Sequence, residues 1–248
     1  MAEAQNTRAG EQRGGAGPLA PKVIGLLVGV AALVNLPVLA LALRPAAPTT
    51  VQITSQGFSD DFNRPELGDN YWSSGGYWRI AGFPPDGQLL SPGAHNNPLF
   101  LRAALPDDVQ VEFDARSESP DGDVKCEIFG NGYDHSSGYI LIFGGWNNSV
   151  TAIARLDEHG VPVDSQLPEP MPNRGRVRVQ RLDMHVEQGR TYHWTVKRKG
   201  MTLSWYLDGQ LVEQLIDPEP LRGSGHDRFA FSTWDTDVYY DNLKITPL

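Results

Sequence analysis

A single apolar stretch near the start of the chain limits what the remainder can be. Residues 23–43 contain no charged side chain, and 21 residues at about 1.5 Å per residue would cross a bilayer core of roughly 30 Å. About two hundred residues of short alternating segments follow, separated by turn residues and almost without helical periodicity. The sequence therefore predicts one membrane-targeting helix followed by an all-β domain.

The charges around the apolar stretch predict its orientation. Arg8, Arg13 and Lys22 precede it, whereas only Arg44 follows closely. The positive-inside rule then places the N-terminus in the cytoplasm and the C-terminal domain in the periplasm or outside the cell. Two interpretations remain open: a single-pass transmembrane anchor, or a signal peptide cleaved near the small residues at 40–42, which would leave the domain secreted.

Composition divides the chain into four parts. Residues 1–22 are rich in Gly, Ala, Gln and Arg and are predicted to be a disordered cytoplasmic tail. Residues 23–43 are the transmembrane helix or signal segment, and residues 44–50, which contain two prolines, are a short linker. Residues 51–248 are long enough for one β domain with a sizeable core.

The net charge of the predicted domain limits the classes of partner that it can bind. The 248-residue chain has a formal net charge of −9, and residues 1–44 carry four basic and two acidic side chains, which leaves −11 for the remainder. Such an acidic domain argues against nucleic acid or an anionic polysaccharide as the main partner. The chain has a single cysteine, so an internal disulfide is excluded.

Two segments in the first half of the domain alternate as strands do. Residues 111–115 and 124–128 place apolar side chains inward and direct Glu112, Asp114 and Glu127 to the other side. We expect these strands to be neighbours that share one polar face. Residues 139–143 are apolar on both faces, which indicates a central strand that is covered on each side or lines a groove.

Further strands are predicted at residues 150–156, 177–182, 191–197, 202–207, 211–216, 229–233 and 238–245. Turn residues at 198–200 and 208–209 predict two hairpins. Trp194 and Trp205 alternate in phase with apolar neighbours and are predicted to lie in the core. Repeated strands without intervening helices predict a sandwich or barrel of antiparallel sheets.

Three stretches carry a family resemblance: FSDDFN at 58–63, LSWYLDGQLV at 203–212 and YDNLKI at 240–245. They resemble the concanavalin A-like lectin and glucanase superfamily, and the opening segment with Trp72 also resembles 3-keto-disaccharide hydrolase-type domains. The resemblance implies a jelly roll of two curved antiparallel sheets whose concave face often binds glycans. Because this fold serves lectins, hydrolases, lyases and adhesion modules, function has to be argued from the site.

The acidic residues depart from the glucanase pattern. Family 16 glycoside hydrolases, which this chain resembles in fold, carry Glu-x-Asp-x-x-Glu along one strand, and no predicted strand has that spacing. The nearest catalytic candidates are Asp114 and Glu127, if their strands pair. The alternative is a solvated charged sheet face. Asp157 with His159 is a further candidate acid–base pair.

The segment FGGWNNS at 143–149 has the composition that sugar binding needs. Trp146 offers a flat face for a sugar ring, and Asn147 and Asn148 can bond to hydroxyl groups. The other residues predicted to contact carbohydrate are Glu112, Arg155, Asp157, His159 and Trp234. The alternative is that Trp146 covers the core at a strand end while the asparagines form a turn.

Three aspartates suggest a structural calcium ion. A jelly roll brings its terminal strands together, so Asp60, Asp61 and Asp241 could meet and supply the oxygen ligands that calcium prefers. The alternative is that Asp241 marks a β-bulge. The six histidines lack the close spacing of a zinc site.

Together these patterns predict a membrane-anchored, exported domain that binds a neutral glycan. A glycoside-processing enzyme and a structural envelope protein that binds another protein are the alternatives.

Overall fold

The computed structural model describes residues 47–248. The predicted tail, the apolar stretch and the start of the linker lie outside the described residues. Within 47–248, no helix is long and apolar enough to cross a membrane. The end of the predicted linker is hydrogen-bonded to the β domain: Arg228 donates to the Ala47 carbonyl at 2.6 Å and to Thr49 Oγ1 at 3.0 Å.

The described residues form sixteen strands. In chain order they are β1 (Phe58–Asp60), β2 (Tyr71–Trp72), β3 (Arg79–Ala81), β4 (Gln88–Pro92), β5 (Leu99–Leu101), β6 (Val109–Ser117), β7 (Val124–Gly130), β8 (Tyr139–Gly144), β9 (Val150–Arg155), β10 (Val161–Pro162), β11 (Val177–Arg181), β12 (Thr191–Lys199), β13 (Thr202–Leu207), β14 (Gln210–Ile216), β15 (Arg228–Thr233) and β16 (Asp237–Pro247).

The strands form two eight-stranded sheets that pack face to face. The first sheet has the order β14-β13-β12-β6-β16-β4-β3, with β1 also paired to β16. The second sheet has the order β10-β11-β9-β8-β7-β15-β5-β2. All pairs are antiparallel except β10 with β11, which are parallel. The predicted all-β sandwich is confirmed, with that one parallel pair as a difference.

The ten strands predicted from alternation are confirmed in place, each to within about two residues at either end. The turn at 198–200 joins β12 to β13, and Asp208-Gly209 joins β13 to β14 with positive φ at both residues. The short strands β2 to β5 were not predicted, because two to five residues leave too little alternation to detect.

Aromatic side chains fill the space between the sheets. Trp194 and Trp205 are fully buried, as predicted, and their rings stack with centroids 4.7 Å apart. Phe113 stacks on the other side of Trp194 at 5.1 Å. This core fixes the phase of each strand, so the side chains on the outer face of the second sheet have a defined position.

Candidate functional site

A cleft of about 540 Å³ opens on the outer face of the second sheet. The strand order places β7 between β8 and β15, and the cleft lies where β7 begins. The turns that follow β8 and β15 stand on either side of it. Its lining residues are Asn96, Asp121, Asp123, Lys125, Ile142, Trp146, Asn147, Glu158, His159, Trp234, Asp235 and Thr236.

Lys125 forms the centre of the cleft floor. Its side chain is only 2% exposed, and its ammonium group donates a hydrogen bond to Asn96 Oδ1 at 2.6 Å. Carboxylate oxygens of Asp123 and Glu158 each lie 3.4 Å from Nζ. A buried ammonium requires such partners, because desolvation without them would cost several kcal/mol. Lys125 therefore fixes the positions of both carboxylates.

A second ion pair lies behind Glu158. His135 Nδ1 is 2.6 Å from Glu127 Oε1, and its Nε2 is 3.5 Å from Glu158 Oε2. The backbone N–H of Ser136 donates to the other oxygen of Glu127 at 3.2 Å. Burial opposes a charged imidazole, but the two carboxylates outweigh it and raise the pKa of His135 to about 9. His135 is thus a cation at neutral pH.

The two carboxylates beside Lys125 differ in acidity. Burial acts to raise the pKa of Glu158, but the neighbouring His135 and Lys125 cations outweigh it and lower that pKa to about 2. Burial dominates at Asp123 and raises its pKa, although Lys125 and the backbone N–H of Trp234 oppose the shift. Neighbouring carboxyl groups with divergent pKa values are a common feature of functional sites.

Trp146 forms one wall of the cleft, on a left-handed turn after β8. Trp146, Asn147 and Asn148 all have positive φ, at 50°, 57° and 59°. Three consecutive non-glycine residues in this region are unusual, and such backbone strain often accompanies function. A β-carbon at the preceding Gly145 would lie 2.6 Å from Ile142 Cγ2, so a larger residue here would displace either Ile142 or the turn. The Trp146 side chain remains 38% exposed.

Trp234 forms the opposite wall, in the turn between β15 and β16. Its backbone N–H donates to Asp123, which ties this wall to the floor. Its ring meets the edge of His95 at 5.2 Å, and it is 52% exposed. Two partly exposed tryptophans therefore face a polar floor from the flanks of one strand.

Four predicted carbohydrate contacts are brought together in this cleft or at its edge. Trp146, Asn147, His159 and Trp234 all line it. The His159 ring lies against Trp146 with centroids 5.6 Å apart, and its Nε2 is 3.6 Å from Glu158 Oε1. The ring does not pair with Asp157, whose carboxylate accepts the His159 backbone N–H instead.

Two other predicted contacts have structural roles. Asn148 donates to the carbonyls of Pro120 and Val186 and accepts from the Val186 N–H, so its amide is fully used. Arg155 is 6% exposed and lies on the core-facing side of β9, where Nε donates to Asp217 at 2.7 Å. The prediction of a surface role for Arg155 is wrong, because the strand phase turns it away from the cleft.

The expected shared face of the strands at 111–115 and 124–128 is also wrong. β6 pairs with β12 and β16 in the first sheet, whereas β7 pairs with β8 and β15 in the second. Glu112 and Asp114 consequently lie on the opposite outer surface from Glu127, with the core between them. Asp114 is bound there by His193 at 2.7 Å. Asp114 and Glu127 cannot act on one glycosidic bond.

Comparison with solved structures identifies the architecture. Carbohydrate-binding module CBM66 from Bacillus subtilis has a TM-score of 0.50 and 16% identity over 71% of this chain and 95% of that one. A β-glucanase from Bacillus licheniformis has a TM-score of 0.52 and 11% identity over 79% and 100%. The fold is a concanavalin A-like jelly roll. A Bacillus subtilis protein of unknown function with a galectin-like fold is similar at a TM-score of 0.50, with 12% identity over 77% and 94%.

No family model matches the sequence, and no curated protein matches it. At these identities the likeness establishes the concanavalin A-like jelly roll and leaves the function to be argued from the cleft.

The terminal strands of the jelly roll meet as expected, with Asp60 opposite Leu243. The three aspartates predicted to bind calcium all have hydrogen-bond partners within the chain. Arg64 and Tyr71 bind both oxygens of Asp60, and the Asp61 carboxylate accepts the Asn63 N–H. Within residues 47–248, no group of three or more His, Cys, Asp or Glu side chains is arranged to hold a metal. The register shift in β16 between Asp241 and Lys244 agrees with the alternative, a bulge.

Sequence reasoning did not assign Asn96, Asp123, Lys125, His135 or Glu158 to one site. Lys125 and Glu127 carried a usable signal, since charged side chains alternate there with residues of a buried strand. The loop residues carried none, because only the fold of the jelly roll brings residues 93–97, 131–137 and 156–160 over β7.

Proposed function

We propose that this domain binds carbohydrate in the cleft between Trp146 and Trp234. The observation that carries the proposal is the pair of partly exposed indole rings on opposite sides of a polar floor. Aromatic faces pack against the C–H faces of sugar rings, while polar groups between them bond to hydroxyls. The cleft volume of about 540 Å³ is within the usual range for small-ligand sites.

The polar groups of the cleft suit a neutral glycan. Asn147 is exposed, and the carboxylates of Asp121 and Asp235 lie at the rim, where they can accept hydrogen bonds from hydroxyl groups. The one lysine of the lining is already engaged by Asn96, Asp123 and Glu158. The lining holds four carboxyl groups, on Asp121, Asp123, Glu158 and Asp235, against this one lysine, so a neutral ligand is favoured over an anionic one.

A panel of neutral and charged polysaccharides tests the proposal. The purified full-length chain is incubated with polymers of glucose, xylose, mannose and galactose and with an anionic polymer, and retention is measured. We expect retention on a neutral polymer and its loss in Trp146→Ala and Trp234→Ala. Phe83→Ala is the matched control, because Phe83 is an exposed aromatic that is not part of the cleft lining. Absence of retention on every polymer would refute carbohydrate binding.

Hydrolysis of the bound glycan is a second candidate function. Asp123 and Glu158 support it, because they share Lys125, line the same cleft and have pKa values shifted in opposite directions. Asp123 would protonate the departing glycosidic oxygen while Glu158 removes a proton from the attacking water. Release of reducing ends from the polymer that retains the protein would establish the enzyme, provided that Glu158→Gln abolishes the release. Retention without release would leave a binding module.

The location of the domain is part of the proposal. The apolar residues 23–43 and the basic residues before them support a membrane anchor with the β domain on the outer side. If that stretch is cleaved, the domain is secreted. Cells are treated with protease from outside and then fractionated. A membrane protein whose β domain is digested supports the anchor, and a soluble exported domain supports cleavage. A chain that is protected inside the cytoplasm would contradict export.

A further inference from the structure

Tyr77 has two features that an ordinary surface residue lacks. It is 88% exposed, the highest value among the exposed large hydrophobic residues at 47–248. It also has a φ of 53°. A bulky side chain in the left-handed region is an outlier that costs roughly 1 kcal/mol or more. Folding thus holds an aromatic ring in solvent on a strained backbone, and packing gives no reason for it.

The surrounding loop is fixed by hydrogen bonds to Asn97. Trp78 Nε1 donates to the Asn97 carbonyl at 2.9 Å, Ser73 Oγ donates to the same oxygen at 3.2 Å, and Ser74 Oγ donates to Asn97 Oδ1 at 2.9 Å. A β-carbon at Gly76 would lie 2.8 Å from the β-carbon of Ala94. The backbone at Tyr77 is therefore held directly against the 93–97 loop.

The 93–97 loop is also part of the cleft. Asn96 binds Lys125 on the floor, and His95 meets the ring of Trp234 on the wall. The backbone N–H of His95 donates to the Trp234 carbonyl at 2.8 Å. Since Gly76 contacts Ala94, Tyr77 and His95 are each one residue from that contact. Tyr77 therefore lies beside the loop that carries His95 and Asn96 to the cleft, and its ring is exposed there.

Resting on the proposed carbohydrate function, we propose that Tyr77 is an outer subsite that stacks a further ring of a glycan chain seated between Trp146 and Trp234. The chemical class of ligand is then an oligosaccharide or polysaccharide long enough to pass the Trp234 wall. A monosaccharide or disaccharide would occupy the cleft alone. A preformed loop suits this role, because no ordering of the loop opposes binding.

The test compares chain lengths. Dissociation constants are measured for the full-length chain with neutral oligosaccharides of glucose, xylose, mannose and galactose, from disaccharide to hexasaccharide. We expect affinity to rise with length. In Tyr77→Ala the longest bound oligosaccharide should lose about 3- to 10-fold in affinity, the size of one aromatic contact, while the disaccharide is unchanged. Tyr77→Phe, which keeps the ring, should behave as the unaltered chain.

Phe83→Ala is the matched control. Phe83 is 85% exposed, lies on the next loop along the chain and does not have a positive φ, so its removal should leave every affinity unchanged. Circular dichroism of Tyr77→Ala checks that the fold is intact. Equal affinity at all lengths, or an equal loss for disaccharide and hexasaccharide, overturns the outer subsite while leaving the cleft as a binding site. Absence of binding by every oligosaccharide and polymer overturns both.

Discussion

His135 Nδ1 lies 2.6 Å from Glu127 Oε1, and the Glu127 side chain is completely buried on the outer face of the second sheet. A buried carboxylate of this kind needs a cation, because an unpaired charge in this position would cost several kcal/mol. The imidazole in turn reaches Glu158, which lines the cleft. The electrostatic surroundings of Glu158 in the cleft therefore depend on the ion pair between His135 and Glu127 beneath it.

This pair predicts that folding stability falls in mildly alkaline solution. The pKa of His135 rises from 6.5 to about 9 in the folded chain. A raised folded-state pKa contributes stability that is complete below pH 6.5 and is lost as the pH rises through about 9. The contribution is on the order of 3 kcal/mol. Urea unfolding at pH values across this window measures the free energy of unfolding for the unaltered chain and for His135→Gln. If that free energy depends on pH in the same way in both proteins, the prediction is wrong.

Lys125→Met should destabilise the fold more than a typical surface substitution. The methionine fills a similar volume but leaves Asp123 and Glu158 without their shared ammonium. Removing one partner of a buried ion pair costs about 3 kcal/mol or more. Denaturant unfolding at neutral pH gives the value. Lys244→Met, at an exposed lysine 3.8 Å from Glu112 on the other face, is the control and should change stability by less than about 1 kcal/mol.

The sequence predicted the strands well because alternation is a local property. The buried faces of β6 and β7 appear directly in the order of their residues. Which sheet each strand joins is decided by the short crossing segment at 118–123 and by pairing partners far away in sequence. For this reason the outward direction of Asp114 and of Glu127 was predictable, whereas their separation by the whole core was not.

The candidate site was predictable only in its aromatic part. Trp146 and Trp234 stood out because each is a large aromatic in a polar turn between strands. Glu158 and His135 are ordinary loop residues in the sequence, and they acquire a shared role only when three separate loops fold over β7. Long-range convergence of this kind leaves no periodic pattern in the chain.

Gly145→Ala should weaken carbohydrate binding by displacing Trp146. The new methyl group would lie 2.6 Å from Ile142 Cγ2 on the cleft lining, so Ile142 or the turn that carries Trp146 is displaced. We expect a lower melting temperature and at least a several-fold loss of affinity for the polymer that retains the unaltered chain. The double variant Gly145→Ala with Ile142→Ala removes the clashing atom and should recover part of the melting temperature. Unchanged affinity in Gly145→Ala would show that the position of Trp146 is unimportant for binding.

Two tryptophans allow stability and binding to be separated. Trp194 is fully buried between Phe113 and Trp205, so Trp194→Ala should cost about 3 to 5 kcal/mol of folding free energy. Trp146 is partly exposed in the cleft, so Trp146→Ala should cost less than about 1 kcal/mol while it abolishes retention on the polymer. Guanidinium unfolding and retention are measured on the same preparations. A large stability loss in Trp146→Ala would mean that this indole covers the core, and its loss of retention could then no longer be ascribed to a sugar contact.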